Sequence, residues 1–307
     1  MPNFYVINNP HVGTDNYSNM IHAIQAMPNI LAWHDTKYAG HATYLAKMLA
    51  KKTTDPTAVI LAVGDNCTLN EVLNGLLAVK RDVKIPLTYI PTGLDPTFLK
   101  GTHIAHASEV VSQLQKINHS QLLNVGKICG DAPHQTTRYF VNRIDIGCHA
   151  ITAEKSEQET QHPSSLMHAL FKMLTPLLSK PAVPITQQPF QMTILNGKHY
   201  RQITNTTLMT IKNQPYFNDN LTHLDCHKTV LNLVITEKMS IVNFLTMLPS
   251  FIKNSETPHL KAAHHISLAD NANIHIHDIQ TGYMDGKSLG NGTFAFTVQH
   301  EVYPFWL

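Results

Sequence analysis

Ala58-Val59-Ile60-Leu61-Ala62-Val63-Gly64-Asp65-Asn66-Cys67-Thr68-Leu69-Asn70-Glu71-Val72-Leu73-Asn74-Gly75-Leu76 is the stretch that decides the fold. Its first part is a continuous apolar run, which reads as a buried strand. A tight polar turn follows at Gly64–Thr68, and a helical pattern begins there. A strand that ends this way turns backbone N–H groups and a helix N-terminus toward an anion, usually a phosphate.

The same alternation extends outward on both sides. Phe4–Ile7 and Ile30–His34 read as strands, as does Leu87–Ile90, which Pro91 stops. Helical patterns lie at about 18–27, at 40–51 and from the signature turn to about Val79. In the second of these, Ala42, Leu45, Ala46 and Leu49 share one face. Strands alternating with helices imply right-handed βαβ units and a parallel sheet. Continuous rather than alternating apolarity fits a sheet covered on both faces.

After about Leu122 the texture changes to strand-like pieces: 138–146, 190–195, 206–211 and 230–235. Asn196-Gly197 is a type I′ hairpin signal. Residues 274–279 alternate strictly, as a half-buried antiparallel strand does. Two helical segments, 165–178 and 240–252, interrupt these pieces. The expectation is an α/β domain over residues 1–122 and an antiparallel β domain over 123–307, whose last strands return toward the first.

The totals agree with an ordinary globular protein. The chain has 307 residues, enough for two cores, with 43% apolar and 14% charged residues. A net charge of +2 leaves no nucleic-acid footprint. Twenty histidines make the surface charge sensitive between about pH 5 and 7. Cys67, Cys129, Cys148 and Cys226 form no Cys-x-x-Cys pair and no disulfide framework, so a reducing cytoplasm is expected. The first residues lack a basic segment followed by an apolar core, so no signal peptide is expected there. No apolar run reaches the roughly 18 residues of a membrane span, so any membrane contact would be peripheral, at the inner face.

Short motifs recur in order along the chain. They are Asn9-Pro10-x-x-Gly13, Thr36-x-x-x-Gly40-His41-Ala42, the signature turn with Asn70-Glu71-Val72, and Ile90-Pro91-Thr92-Gly93 with Phe98. Tyr139-Phe140-Val141-Asn142, Ile146-Gly147-x-x-Ala150 and Met284-Asp285-Gly286-Lys287 follow. This succession resembles the diacylglycerol kinase-like family of bacterial lipid kinases, whose signature reads Gly-Gly-Asp-Gly-Thr-x-Asn-Glu-Val. The resemblance implies an N-terminal parallel-sheet domain of the NAD kinase and diacylglycerol kinase type and a C-terminal β-sandwich. It also implies that ATP, Mg²⁺ and a lipid hydroxyl meet in the cleft between them. Nucleotide contacts would fall on Asn9, Thr36, Gly64, Asp65, Asn66, Thr68, Glu71, Thr92 and Gly93. Asp285 would be the general base.

Against that frame the acidic positions are depleted. The signature acid is Asn66, and Asp65 and Cys67 stand where the family has glycines. The next loop carries Pro96-Thr97 in place of Asn-Asp. Asn124 stands at the Asp of an Asp-Val-Gly segment, His149 at another Asp, Lys228-Thr229 at an Asp-Gly, and Lys287 at the Glu after Asp285. Mg²⁺ favours carboxylates, so no residue is assigned here as a metal ligand; Asp95 and Asp225 are the nearby acids. Two functions follow: a lipid kinase with impaired phosphoryl transfer, or an inactive paralogue that binds a nucleotide, a lipid or a partner protein.

Other features carry plainer expectations. His264-His265 and His275-x-His277 read as solvated strand histidines rather than metal ligands. The stripe Leu166, Leu170, Met173, Leu174, Leu177 reads as core or as the lining of a lipid cleft. The tail Tyr303-Pro304-Phe305-Trp306-Leu307 is expected to dock on its own domain. Asp285-Gly286 also fits a simple turn.

Overall fold

Four apolar runs become four parallel strands. The computed structural model describes residues 2–12, 17–92, 114, 116–130, 136–147, 188–213, 231–237 and 263–307. β1 (Asn3–Asn8), β2 (Ile30–Asp35), β3 (Ala58–Gly64) and β4 (Leu87–Pro91) lie side by side in the order β2-β1-β3-β4. Every pairing among them is parallel. All residues of β3 are buried because both of its faces are covered. Ile60 and Ala62 point to one apolar cluster, with α2 (His41–Lys52) and α3 (Asn66–Leu77). Val59, Leu61 and Val63 point to another, with Met20 and Ile24 of α1 (Tyr17–Gln25). The buried stripe of α2 is Ala42, Leu45, Ala46, Leu49 and Ala50, which contains the four expected residues.

The second half is antiparallel in every pairing among its own strands. Its described strands are β5 (Gln121–Gly130), β6 (Thr137–Phe140), β7 (Arg143–Gly147), β8 (Phe190–Asn196), β9 (His199–Asn213), β10 (Leu231–Glu237), β11 (Ala263–Leu268), β12 (Ala272–Met284) and β13 (Lys287–Phe305). β7 and β8 occupy the same slot between β9 and β12, one beyond the other. The Asn196-Gly197 turn joins β8 to β9, with Gly197 at φ 61°. An apolar cluster including Ile144, Ile146, Met192, Ile211, Leu233 and Ile274 is the core of this half.

β13 ties the halves together. It pairs with β12 and β5, and its last residue, Phe305, lies parallel to Leu87 of β4. Tyr303 and Phe305 thereby enter the core of the parallel half. The Tyr303 hydroxyl donates to the Ile85 carbonyl at 2.7 Å, and burial pushes its phenol well up. The aromatic tail docks within the chain, but on the parallel half rather than on its own domain, because the end of β13 joins the edge of the parallel sheet.

Two differences from the sequence reading have physical reasons. Residues 138–146 are not one strand: they break at Val141-Asn142, where the backbone N–H groups turn to a side chain described below. β5, β11 and most of β13 escaped notice because their polar and glycine residues blur the alternating pattern; β13 contains Gly290 and Gly292. The helical segments at 165–178 and 240–252 lie outside the described residues, as do Gly13, Gly93, residues 95–98, His149, Ala150, Asp225 and Lys228-Thr229.

Candidate functional site

The carboxyl ends of the four parallel strands gather most of the expected nucleotide contacts. This is the edge at which open α/β sheets hold ligands. Asn8 and Asn9 end β1, Asp35 and Thr36 end β2, Gly64 and Asp65 end β3, and Thr92 follows β4. Hydrogen bonds knit these ends together. The Asn9 N–H donates to the Val63 carbonyl at 2.8 Å, that of Thr36 to Asn8 at 2.8 Å, and that of Thr92 to Gly64 at 2.8 Å. The Thr92 hydroxyl donates to the Val12 carbonyl at 2.9 Å. Asp35 accepts from Asn8 Nδ2 at 2.7 Å and from Trp33 Nε1 at 2.9 Å.

The turn into α3 is closed by its own side chains. Asp65 is the N-cap, and its Oδ1 accepts from the Thr68 N–H at 2.7 Å and the Thr68 hydroxyl at 2.6 Å. Asn9 Nδ2 donates to the same hydroxyl at 3.0 Å. Thr68 packs so tightly that a Cβ on Gly64 would meet its Oγ1 at 2.6 Å, so glycine is required there. A carboxylate from the chain thus occupies the positive end of α3, where a phosphate would sit.

One turn further along α3 lies Asp285. Met284 pairs with Lys287, so Asp285 and Gly286 are a two-residue hairpin loop, and both have positive φ, 49° and 84°. That is the type I′ geometry of an Asp-Gly turn. The carboxyl group is buried and accepts four hydrogen bonds. Oδ1 receives the N–H groups of Asn142 at 2.8 Å and Arg143 at 2.9 Å. Oδ2 receives the Val141 N–H at 2.6 Å and Asn70 Nδ2 at 2.9 Å. Burial pushes this carboxyl up, and the four donors pull it back toward the charged form. A carboxylate has about four acceptor positions, and all four are filled. As placed, Asp285 has no lone pair left for a substrate proton.

Glu71 and Lys287 close the same face of α3. Glu71 Oε1 accepts from Lys287 Nζ at 2.8 Å and from the Gly40 N–H, just before α2, at 2.8 Å. The Glu71 side chain is 7% exposed and that of Lys287 is 41% exposed. Asn70 and Asn74 were not expected as site residues, yet they join the halves. Each donates to the Tyr139 carbonyl, at 2.9 and 2.8 Å, and the Tyr139 N–H returns a bond to Asn74 at 2.9 Å. Their spacing of four along a helix was the available signal.

Mg²⁺ does not fit the described residues. Among them no group of three His, Cys, Asp or Glu side chains converges. Asn124, at one family acid position, is neutral and buried, with both amide atoms lacking a hydrogen-bond partner. His275 and His277 share an exposed face with ring centroids 6.4 Å apart. No helix among the described residues is long and apolar enough to cross a membrane.

Residues 3–128 match the family model for the diacylglycerol kinase catalytic domain. YtlR of Bacillus subtilis (strain 168), which carries a provisional lipid-kinase name, is 23% identical over 185 residues. That alignment spans 59% of this chain and 58% of the relative. Two structures of a provisionally named diacylglycerol kinase from Bacillus anthracis str. Sterne superpose with a TM-score of 0.67, at 15% and 17% identity. Each superposition covers 99% of this chain and 96% of the other. A further structure of a diacylglycerol kinase from the same organism has a TM-score of 0.58 at 15% identity.

Proposed function

We propose that this chain, a diacylglycerol kinase-like protein in sequence and fold, has kept the family's binding architecture and lost most of its phosphoryl transfer. Residues 1–122 and 123–307 act as an α/β domain and a β-sandwich domain. A nucleotide and a lipid are held between them. Asn9, Thr36, Gly64, Asn66, Thr68 and Thr92 line the nucleotide side. The protein works in the cytoplasm and meets the inner face of the membrane peripherally.

One observation carries the loss of transfer: the acid at the general-base position, Asp285, already accepts four hydrogen bonds. A base must reach the proton it takes with a free lone pair. The neighbouring substitutions act in the same direction. Lys287 neutralises Glu71, and Asp65 competes with a phosphate for the start of α3.

The test is titration of the purified protein with ATP, with and without Mg²⁺, beside an assay of phosphate transfer to diacylglycerol. Binding that ignores Mg²⁺, with no transfer, is the expected result. Mg²⁺-dependent transfer would overturn the reading. Asp65→Gly, or Asn66→Asp with Cys67→Gly, should tighten ATP binding if erosion of the cradle limits it.

A further inference from the structure

Residues 36–54 carry four lysines, Lys37, Lys47, Lys51 and Lys52, and no Asp or Glu, in a chain whose net charge is +2. All four lysines are exposed, and none enters an ion pair among the described residues. Helix stability does not explain the set. Lys51 and Lys52 suit the carboxyl end of α2, but Lys37 stands before its amino end, where a cation is unfavourable. Lys47 and Lys51 lie one turn apart and repel each other. The buried stripe of α2 faces the core, so Tyr44, Lys47 and Lys51, at steps of three and four, form its solvent stripe. Aromatic rings extend that face. Tyr38 and Tyr44 are 63% and 62% exposed. The His41 ring lies between theirs, stacked 4.6 Å from Tyr38 and 6.1 Å from Tyr44. Acids border the segment without entering it. Asp35 is held by Asn8 and Trp33, and Asp55 by Asn3 and Thr57. Arg81 donates to the Ala50 and Thr53 carbonyls at the far end of α2, between exposed Lys80 and Asp82.

We propose that this outer face of α2 docks on a bilayer surface rich in anionic lipid headgroups. The proposal rests on the reading that the protein meets a membrane peripherally, and it names the surface that does so. Charge complementarity selects the partner, because exposed lysines with no acid among them are drawn to a negative membrane surface. The tyrosines suit the headgroup layer, where the ring is shielded and the hydroxyl stays wet. A nucleic acid also attracts lysine, but it uses aromatic rings as platforms for its own bases. Here the rings stack on one another and leave no slot between them. The face begins beside the candidate site: the Gly40 N–H, between Tyr38 and His41, donates to Glu71 at 2.8 Å. Docking there holds the site at the surface that contains its lipid.

Sedimentation of the intact protein with vesicles, without ATP or diacylglycerol, tests this. The vesicles are phosphatidylcholine alone or an equimolar mixture with phosphatidylglycerol. Binding to the anionic vesicles alone, lost at high salt, is the expected result. Lys47→Gln with Lys51→Gln should weaken it about 25-fold, at about fivefold per lysine. Lys198→Gln with Arg201→Gln removes the same charge from the β8–β9 hairpin and should leave it nearly unchanged. A loss no larger at α2 than at the hairpin overturns the surface and leaves peripheral contact in place. No binding to either vesicle overturns both, and leaves the ATP titration above to judge the nucleotide reading by itself. Tighter binding to a single-stranded oligonucleotide than to the anionic vesicles assigns the face to nucleic acid and also overturns the proposal.

Discussion

Asn70 and Asp285 are 215 positions apart in the chain, yet their side chains meet in the interior at 2.9 Å. The contact joins the helix that begins at the signature turn to the last hairpin. The three backbone N–H groups of the 141–143 turn reach the same carboxylate. One acid thus gathers α3, the β6–β7 break and the β12–β13 loop. Its chemistry is that of an anchor, since three of its partners belong to a backbone that would otherwise lack acceptors.

Replacing that acid should cost far more stability than a turn residue normally does. Asp285→Asn keeps the shape but turns an NH₂ group toward donors, so about 3–5 kcal/mol of unfolding free energy should be lost. Asn70→Ala removes one donor of four and should cost about 1–3 kcal/mol. Urea denaturation of both single variants and the double variant measures their coupling. Additive effects would show that the two residues do not act as a unit.

The Lys287–Glu71 pair should respond asymmetrically to mutation. Lys287→Met strips the ammonium from a carboxylate that is 7% exposed, leaving the Gly40 N–H as its described partner. Glu71→Gln leaves a lysine that is 41% exposed and can turn to water. The first change should cost about 2–4 kcal/mol and the second about 1 kcal/mol or less. Equal losses in chemical denaturation would contradict the account.

How much of this could be read from the chain varied with the range of the interaction. β1 to β4 and α2 were legible because their apolar patterns are local and both faces of the sheet are buried. The motifs placed Gly64, Asp65 and Thr68 at one turn, and they sit there. What Asp285 does was not legible. Its Asp-Gly dipeptide allowed both a base and a turn, and its role is set by N–H groups 142 to 144 residues away. The break at Val141-Asn142 was missed for the same reason: the pull on that backbone comes from another strand pair. Lys287 read as a lost acid, whereas its partner Glu71 was visible only once the hairpin was folded against α3.

Acid should weaken the N-terminal edge through Asp55. Asn3 Nδ2 donates to its carboxylate at 2.7 Å, and Thr57 donates both its hydroxyl at 2.7 Å and its N–H at 2.8 Å. These bonds, that of Asn3 foremost, hold the carboxyl below its ordinary value of 3.8. A depressed folded-state pKa contributes stability that is present above the ordinary value and is lost as pH falls through the folded one. Asp55→Asn should therefore melt below wild type at pH 7, and the two melting curves should converge as pH falls below the depressed folded-state value. A gap that persists in acid would assign the effect to shape rather than charge.

Gly126 gives the sharpest packing test. It is the glycine of Asn124-Val125-Gly126, and it pairs with Phe140 across β5 and β6. A Cβ at 126 would meet the Phe140 ring at 2.0 to 2.5 Å, so the ring lies flat on the bare backbone. Phe140 is fully buried beside Gly126, leaving the ring nowhere to move without opening the core. Gly126→Ala should cost about 3 kcal/mol or more, at the upper end of overpacking effects. Shrinking the neighbour tests the cause: Gly126→Ala with Phe140→Leu should be more stable than the sum of the two single losses predicts. Strict additivity in urea denaturation would mean that the loss at 126 does not come from the ring above it.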